Sequence, residues 1–177
     1  HLYGTPAKYD EIKAICEKHG ALIIEDAAES FGATYKGKQT GTLGDYSAIS
    51  FNGNKTITTG GGGMLLFTDT ELGEKAKHLT TQAKMPHKWE FKHDDIGYNY
   101  RMPNINAALG CAQMENLEKI LDNKRKTAMV YKDFFAGSEI KFFDEPKDCK
   151  SNFWLNAVLL PNKKEQIKFL EETNSSG

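Results

Sequence analysis

Residues 47 to 66 have the sequence Ser-Ala-Ile-Ser-Phe-Asn-Gly-Asn-Lys-Thr-Ile-Thr-Thr-Gly-Gly-Gly-Gly-Met-Leu-Leu. Two short apolar runs flank a segment too rich in Gly, Asn and Thr to be helical, which predicts two strands joined by a turn that carries Lys55. Ser50 precedes this lysine, and the four glycines at 60 to 63 follow it and permit close approach of backbone or ligand. Most lysines are merely solvated surface charges. The neighbours of Lys55 favour a chemical role instead.

The composition restricts the classes of protein to consider. The 177 residues, 39% of them hydrophobic, suffice for one good-sized domain, or for one domain and part of another. The 23 basic and 24 acidic residues are well mixed, and the net charge of -1 disfavours nucleic acid or a membrane surface as partner. No apolar run approaches the roughly 18 residues that would span a bilayer. We therefore expect a soluble protein.

The cysteines indicate the compartment. Cys16, Cys111 and Cys149 are far apart and lack Cys-x-x-Cys spacing. This pattern favours reduced packing residues in a cytoplasmic protein over a disulfide framework or a zinc site. His87 and His93 lie in a long polar and aromatic segment, but no acid or thiol has ligand spacing to them, so we predict no metal site.

The first 30 residues have the pattern of half a βαβ unit. A helix with an apolar stripe is predicted from a cap at Thr5 to Gly20. The apolar run of residues 21 to 24 is typical of a buried parallel strand, which ends at Asp26. Ligands bind at the carboxyl ends of strands in open α/β sheets, so Asp26 and residues 27 to 30 are candidates for binding. The alternative is that Asp26 only caps the next helical turn.

The rest of the chain continues as an α/β pattern with one interruption. Gly137 and Ser138 break the helical periodicity, which places a domain boundary there or in the preceding long helix. The predicted elements are a hairpin over 33–40, strands over 46–51 and 63–68, a helix from Asp69 or Thr70, a loop over 82–95, helices after Pro103 and over 117–135, a strand over 153–160, and a helix over 163–172.

The groups around Lys55 match the needs of a pyridoxal phosphate site. The amine can bond to the aldehyde of that cofactor when it is partly neutral, which a water-poor site promotes. The Asp26 carboxylate can keep the pyridine nitrogen protonated, and the Ser50 hydroxyl can bond phosphate oxygens. Glycine runs also occur in ordinary hairpins, and residues 60 to 63 lack the strand, loop and helix context of a nucleotide-binding loop.

Five motifs in order closely resemble the DegT/DnrJ/EryC1/StrS family of sugar-nucleotide aminotransferases. They are Glu-Asp-Ala-Ala-Glu-Ser (25–30), Gly-Thr-Leu-Gly-Asp (41–45), Ser-Phe-Asn-Gly-Asn-Lys (50–55), Thr-Thr-Gly-Gly-Gly-Gly (58–63) and Gly-Tyr-Asn-Tyr-Arg-Met (97–102). The likeness covers nearly the whole chain. Within the family, the 50–55 motif is most similar to enzymes that aminate UDP-linked 4-keto-6-deoxy-N-acetylhexosamines, on routes to bacillosamine or legionaminic acid.

The resemblance implies an α/β chain with a partial fold type I, aspartate aminotransferase-like architecture, whose large-domain sheet carries helices on both faces. Residues 1–136 would be the C-terminal part of the cofactor-binding large domain with its linking helices, and residues 137–177 the beginning of a small C-terminal α/β domain. The resemblance further implies a homodimer with active sites at the subunit boundary. Such an enzyme uses pyridoxal 5'-phosphate to move an amino group from glutamate to a nucleotide-linked 4-keto-6-deoxy sugar, for cell-surface glycans or antibiotic sugars.

The resemblance also assigns roles to individual residues. Lys55 would bond to the cofactor and carry the proton between the cofactor and the sugar. Asp26 would pair with the ring nitrogen, and Ala28 and Glu29 would border the ring. Ser50 would hold the phosphate, Asn99 would reach the phosphate in the neighbouring subunit, and Tyr100 and Arg101 would line the nucleotide-sugar pocket. Glu29 would lie near the 3' oxygen of the ring. A charged Glu29 would repel that oxygen, so either Glu29 is protonated or its contact differs.

Two alternatives and one departure accompany this assignment. Family members are longer than this chain, so the resemblance implies a fragment of such an enzyme, or one product of a broken gene, that is inactive alone. A related dehydratase would have histidine in place of Lys55, which argues against that activity. A catalytically silent dimerisation or binding module of the same fold remains the alternative from another class.

Overall fold

The computed structural model describes residues 1 to 176, so Gly177, the last residue of the predicted small domain, lies outside it. The helices are α1 (Tyr9–His19), α2 (Thr70–Thr80), α3 (Asn104–Glu115), α4 (Leu117–Phe135) and α5 (Lys163–Ser175). The strands are β1 (Ile24–Asp26), β2 (Thr34–Tyr35), β3 (Lys38–Gln39), β4 (Tyr46–Ser50), β5 (Gly63–Phe67), β6 (Lys141–Phe142), β7 (Cys149–Lys150) and β8 (Val158–Leu159). No helix among residues 1 to 176 is long and apolar enough to cross a membrane. The mixed α/β class agrees with the prediction.

The central sheet has the strand order β1-β4-β5. β1 runs parallel to β4 with Asp26 opposite Ala48, and β5 runs antiparallel to β4 with Gly63 opposite Ser50. Parallel strands end at the same edge of a sheet, so the last residues of β1 and β4 lie at one edge. This edge is the place where the sequence predicted ligand binding.

Local capping explains α2 well and α1 only in part. Asp69 caps α2 as predicted, because its carboxylate accepts the N–H groups of the first turn. Gly20 ends α1 in the left-handed conformation, with φ of 62°. The predicted Thr5 cap is wrong, since α1 begins at Tyr9. The Thr5 hydroxyl instead donates to Ser151 Oγ across the fold, a contact that local sequence does not reveal.

The segment after α4 differs from the predicted pattern. The predicted strand over 153–160 is wrong over most of its length, since only β8 is extended there. Phe153 has φ of 48°, a left-handed conformation that interrupts a strand. β7, which falls in a stretch where the sequence predicted no strand, pairs with β2 and extends the predicted hairpin to a sheet of order β3-β2-β7.

The hydrophobic core lies under the turn that carries Lys55. Ile49, Phe51 and Ile57 form it together with Ala27, and Leu117 and Ile120 from α4 pack against it. On the opposite face of the sheet, α2 packs against β5, where Gly73 lies next to Phe67, but β1 is uncovered and its Ile24 is 74% exposed. The prediction that residues 21 to 24 form a buried strand is therefore wrong within this chain, because β1 is an edge strand with an uncovered face.

A buried carboxylate fixes the loop beside β1. Glu25 is only 4% exposed. Its oxygens accept the backbone N–H groups of Gly41 at 2.8 Å, Leu43 at 2.5 Å and Gly44 at 2.7 Å, and Oε2 lies 2.9 Å from His1 Nε2. Since a buried carboxylate needs this many partners to be tolerated, the loop is held firmly next to Asp26.

An ion pair attaches α4 to the segment that follows it. Arg125 donates two hydrogen bonds to Glu145, at 2.9 and 3.1 Å, and a third to the Ser151 carbonyl at 3.0 Å. Burial raises the pKa of the Glu145 carboxyl, but hydrogen bonds from Arg125 and the Ser151 N–H, with the charge of Arg125, lower it more, so its pKa lies below the ordinary value.

The Glu145 pair predicts an acid-sensitive stability. Because the folded-state pKa is depressed, its stabilisation is present above about pH 4.3, the unfolded value, and is lost as the pH falls through the folded-state pKa. We expect Glu145→Gln to lower the free energy of unfolding at pH 7 by about 1 kcal/mol, because the pair is partly solvated, and to weaken the acid dependence. Urea unfolding at several pH values measures both effects. Glu139→Gln, at an exposed position, is the control, and equal acid dependence in all three proteins would contradict this role.

Candidate active site

Lys55 lies on a tightly closed turn that leaves β4. Its own N–H donates to the Asn52 carbonyl at 3.1 Å. At the base of the loop, the Phe51 N–H donates to Gly62 at 2.9 Å, and the Thr59 N–H donates to Phe51 at 3.0 Å. Gly62 has φ of 114°, so the glycine run supplies a conformation there that other residues rarely adopt. The backbone on both sides of Lys55 is thus fixed, as the sequence predicted for this turn.

The Lys55 amine is enclosed by an aromatic ring and a carboxylate. Its side chain is 14% exposed, and Nζ lies 3.9 Å from Glu29 Oε1. On another side, Nζ lies 4.1 Å from the centroid of the Trp154 ring. The other Glu29 oxygen accepts the Tyr3 N–H at 2.8 Å. Glu29, predicted to border a cofactor ring, therefore contacts the lysine directly.

Asp26 and Ser50 lie on the same face of the sheet. Asp26 is opposite Ala48, and Ser50 is two residues further along β4, so strand spacing separates their Cα atoms by about 8 Å. The exposed Asp26 carboxylate accepts the Ala28 N–H through Oδ1 at 3.1 Å. Ser50 Oγ accepts the Asn52 N–H at 3.2 Å, which leaves its proton available for donation.

Asn152 and Trp154 join this site, and sequence reasoning missed both. The buried Asn152 amide nitrogen lies 2.9 Å from the Glu29 and Phe31 carbonyls and 3.0 Å from Thr56 Oγ1. Its oxygen accepts the Trp154 N–H at 2.7 Å. No sequence signal connects these residues with Lys55, because their partners are far away along the chain and residues 153 to 160 have the composition of a strand.

The remaining predicted site residues lie on the loop before α3. Asn99 is exposed and forms an isolated β-bridge with Thr81. Tyr100 stacks on Tyr98 with ring centroids 5.3 Å apart. Tyr100 and Arg101 line an open cleft of about 1070 Å³ together with residues 60 to 63 and α2, and the lining of this cleft does not include Lys55, Asp26 or Ser50. Their predicted substrate roles stay predictions.

The histidines of the long loop serve local contacts. His87 Nδ1 accepts the backbone N–H groups of Trp89 and Glu90, at 3.2 and 2.8 Å. His93 Nδ1 lies 2.7 Å from the Gln82 carbonyl. Across residues 1 to 176, no group of three or more His, Cys, Asp or Glu side chains is arranged to hold a metal ion.

The groups at this edge of the sheet fit a phosphorylated pyridine aldehyde. Asp26 offers an exposed carboxylate that can accept a hydrogen bond from a protonated ring nitrogen. Ser50 offers a hydroxyl donor for a phosphate oxygen, and Lys55 offers an amine for an aldehyde. The chemistry of this donor set therefore agrees with the cofactor predicted from the sequence.

Known proteins resemble the chain over nearly its whole length. It is 45% identical over 163 residues to the putative pyridoxal phosphate-dependent aminotransferase EpsN of Bacillus subtilis, covering 92% of this chain and 42% of EpsN. It is 42% identical over 166 residues to the GDP-perosamine synthase of Escherichia coli O157:H7, covering 94% of this chain and 45% of that enzyme. The chain thus spans about half the length of the curated relatives it matches.

A solved structure confirms the predicted fold. Helicobacter pylori PseC, an aminotransferase involved in the biosynthesis of pseudoaminic acid, superimposes with a TM-score of 0.93 at 26% identity, covering 99% of this chain and 48% of PseC. The profile of the DegT/DnrJ/EryC1/StrS aminotransferase family matches residues 1–176. Together with the five ordered motifs, this match shows that the chain belongs to the DegT/DnrJ/EryC1/StrS aminotransferase family.

Proposed function

We propose that this protein is a pyridoxal phosphate-dependent aminotransferase that moves an amino group from glutamate to the keto carbon of a nucleotide-linked 4-keto-6-deoxy sugar. One observation carries the proposal. The Lys55 amine is held between Glu29 and Trp154, on the turn that leaves the same sheet edge as Asp26. Lysine side chains are mostly exposed, whereas that of Lys55 is only 14% exposed, and membership of the family supports the same role.

Membership of the family indicates that the cofactor is pyridoxal phosphate, as the sequence predicted. When bound, it supplies an aldehyde carbon that takes up an amino group from one substrate and passes it to another, and a pyridine ring that withdraws electrons from the reacting carbon. The Lys55 amine would hold the cofactor through its aldehyde, and Lys55 Nζ would carry the proton to and from the reacting carbon. The Asp26 carboxylate would accept a hydrogen bond from the ring nitrogen and keep it protonated. Ala28 and Glu29 would border the ring, and the Ser50 hydroxyl would donate to the phosphate.

The substrate and the subunit partner would be bound by the loop before α3. Asn99 is exposed and available to reach a phosphate held by a neighbouring subunit, which the proposed homodimer requires. Tyr100 and Arg101 offer a stacking ring and a bidentate cation, the groups that bind a nucleotide and its phosphates. The proposed division into a large-domain part, 1–136, and the beginning of a small domain, 137–177, is supported by the break after α4, where Gly137 has φ of 79°.

For the substrate we infer a UDP-linked 4-keto-6-deoxy-N-acetylhexosamine, on the form of the 50–55 motif. A GDP-linked keto sugar is the main alternative substrate, because one relative is named GDP-perosamine synthase. The protein expressed from its natural gene is incubated with glutamate and either the UDP-linked or the GDP-linked keto sugar. We expect amination of the UDP sugar, with NMR of the product placing the new amine at C4. Amination of the GDP sugar alone, or at C3, would refute the inferred substrate but leave the aminotransferase assignment intact.

The covalent role of Lys55 predicts a coloured protein with the cofactor attached at one lysine. Borohydride treatment of the protein mixed with pyridoxal phosphate should bleach the yellow colour and leave a mass increase on the peptide that contains Lys55. Lys55→Arg should give neither, since its guanidinium does not bond to the aldehyde. Lys84→Arg is the matched control, because Lys84 Nζ also lies over an aromatic ring, 4.0 Å from the Phe91 centroid. Absence of colour in the natural protein would favour the silent dimerisation module instead.

The role of Asp26 predicts a separation of catalysis from binding. Asp26→Asn should slow amino transfer by about 100-fold or more, because the ring nitrogen loses the charge that keeps it protonated. Cofactor affinity should fall only about 10-fold, the loss of one charge-assisted hydrogen bond. Ser50→Ala should do the reverse and weaken cofactor binding more than it slows the saturated enzyme. Kinetics at saturating cofactor and a cofactor titration measure the two quantities, and identical patterns in both variants would refute these roles.

A further inference from the structure

The Trp154 ring restrains an amine that would otherwise be mobile. Lysine has a long flexible side chain, and about 2 kcal/mol of rotamer entropy opposes its fixation. Here Nζ lies over the face of the indole ring at 4.1 Å, and Glu29 Oε1 lies 3.9 Å from the same atom. An indole face is the best aromatic partner of a cation, and the attraction strengthens when water is excluded. The Lys55 side chain is 14% exposed, so this condition is met.

The ring is itself fixed to the turn that carries Lys55. Trp154 Nε1 donates to the Asn54 carbonyl at 2.6 Å, which ties the indole to the residue immediately before the lysine. On α4, Lys124 Nζ approaches the Trp154 carbonyl at 3.5 Å. Burial lowers the pKa of the Lys124 amine, as expected for an amine drawn into the structure at this point. The ring and Lys55 therefore form one unit with little independent freedom.

Asn152 connects the same unit with the carboxylate. Its amide nitrogen contacts Thr56 Oγ1, immediately after Lys55, and the Glu29 carbonyl. Its oxygen accepts the backbone N–H of Trp154. A Cβ on Gly4, whose φ is 89°, would come within 1.7 Å of this oxygen, so the Asn152 amide occupies space that only glycine leaves free. The buried Asn152 side chain thus sets the positions of Lys55, Trp154 and Glu29 relative to one another.

We propose that Trp154 is a positioning residue for the Lys55 amine, with its ring held by the Asn54 carbonyl and its backbone held by the Asn152 amide. The proposal deepens the proposed function, on which it rests for its effect on catalysis. In this proposal the aromatic face of Trp154, and not only the size of its side chain, holds the Lys55 amine next to Glu29 before the cofactor binds. Glu29, 3.9 Å away, can accept the proton that the held amine must lose before it bonds to an aldehyde. A preorganised amine then reacts faster because less freedom is lost in the reaction.

Two substitutions separate the ring face from the indole N–H. Trp154→Phe keeps an aromatic face and loses the bond to Asn54, whereas Trp154→Leu loses both. Trp89→Leu is the matched control, because it removes the other tryptophan of the chain, which is 76% exposed and has Lys88 Nζ 4.8 Å from its centroid. All proteins are expressed from the natural gene, and circular dichroism and thermal unfolding identify any variant that does not fold.

The first measurement needs no cofactor. Lysines are reductively methylated with ¹³C-formaldehyde, which keeps their charge, and the methyl signal of Lys55 is assigned with Lys55→Arg. We expect an upfield ring-current shift of this signal in the natural protein and the Trp89→Leu control. The shift should be reduced in Trp154→Phe and lost in Trp154→Leu. An unshifted Lys55 signal in the folded natural protein would overturn the proposal, whatever the activity of the protein.

The second measurement follows the capture of pyridoxal phosphate by Lys55 in stopped flow. We expect the rate to fall about 10-fold in Trp154→Leu, with partial rescue in Trp154→Phe and no change in the Trp89→Leu control. Equal rates in all folded variants would overturn the positioning role. If the natural protein shows the ring-current shift but never captures the cofactor, the proposed function fails while the restraint of the amine by Trp154 stands.

Discussion

The parallel pairing of β1 with β4 is the constraint on which the candidate site depends. It brings the carboxyl ends of two strands to one edge, so Asp26 and Ser50 share a face and the Lys55 turn starts beside them. The Glu25 carboxylate reinforces this arrangement from the other face of β1, because it holds the backbone of residues 41 to 44. Without this register, the amine, the carboxylate and the hydroxyl would be unrelated groups on a loop-rich chain.

Much of this arrangement could be predicted from local sequence. Asp69 before an apolar periodicity marks the start of α2, and the glycine after His19 marks the end of α1. The Lys36-Gly37 turn identifies the short hairpin of β2 and β3, and the ordered motifs identify the family. These features are determined by neighbours a few residues apart, where capping and turn chemistry decide the backbone.

The features that sequence analysis missed depend on distant partners. Thr5 has the composition of a helix cap, but Ser151 holds its hydroxyl from the far end of the chain. The Trp154 segment has the composition of a strand, but Asn152 bonds to carbonyls of residues 29 and 31 and bends it away. A local pattern cannot reveal that a buried amide has better partners elsewhere, so tertiary contacts overrode local preference here.

The long-range bonds of Asn152 also determine when the site can form during synthesis. They join positions separated by 96 to 123 residues. Contacts between distant segments form slowly, because a large loop must close before they stabilise anything. The ribosome exposes the lysine turn long before the asparagine and the tryptophan that enclose its amine. The enclosure is therefore completed late, and until then the nascent chain presents an unrestrained lysine beside a partly assembled sheet.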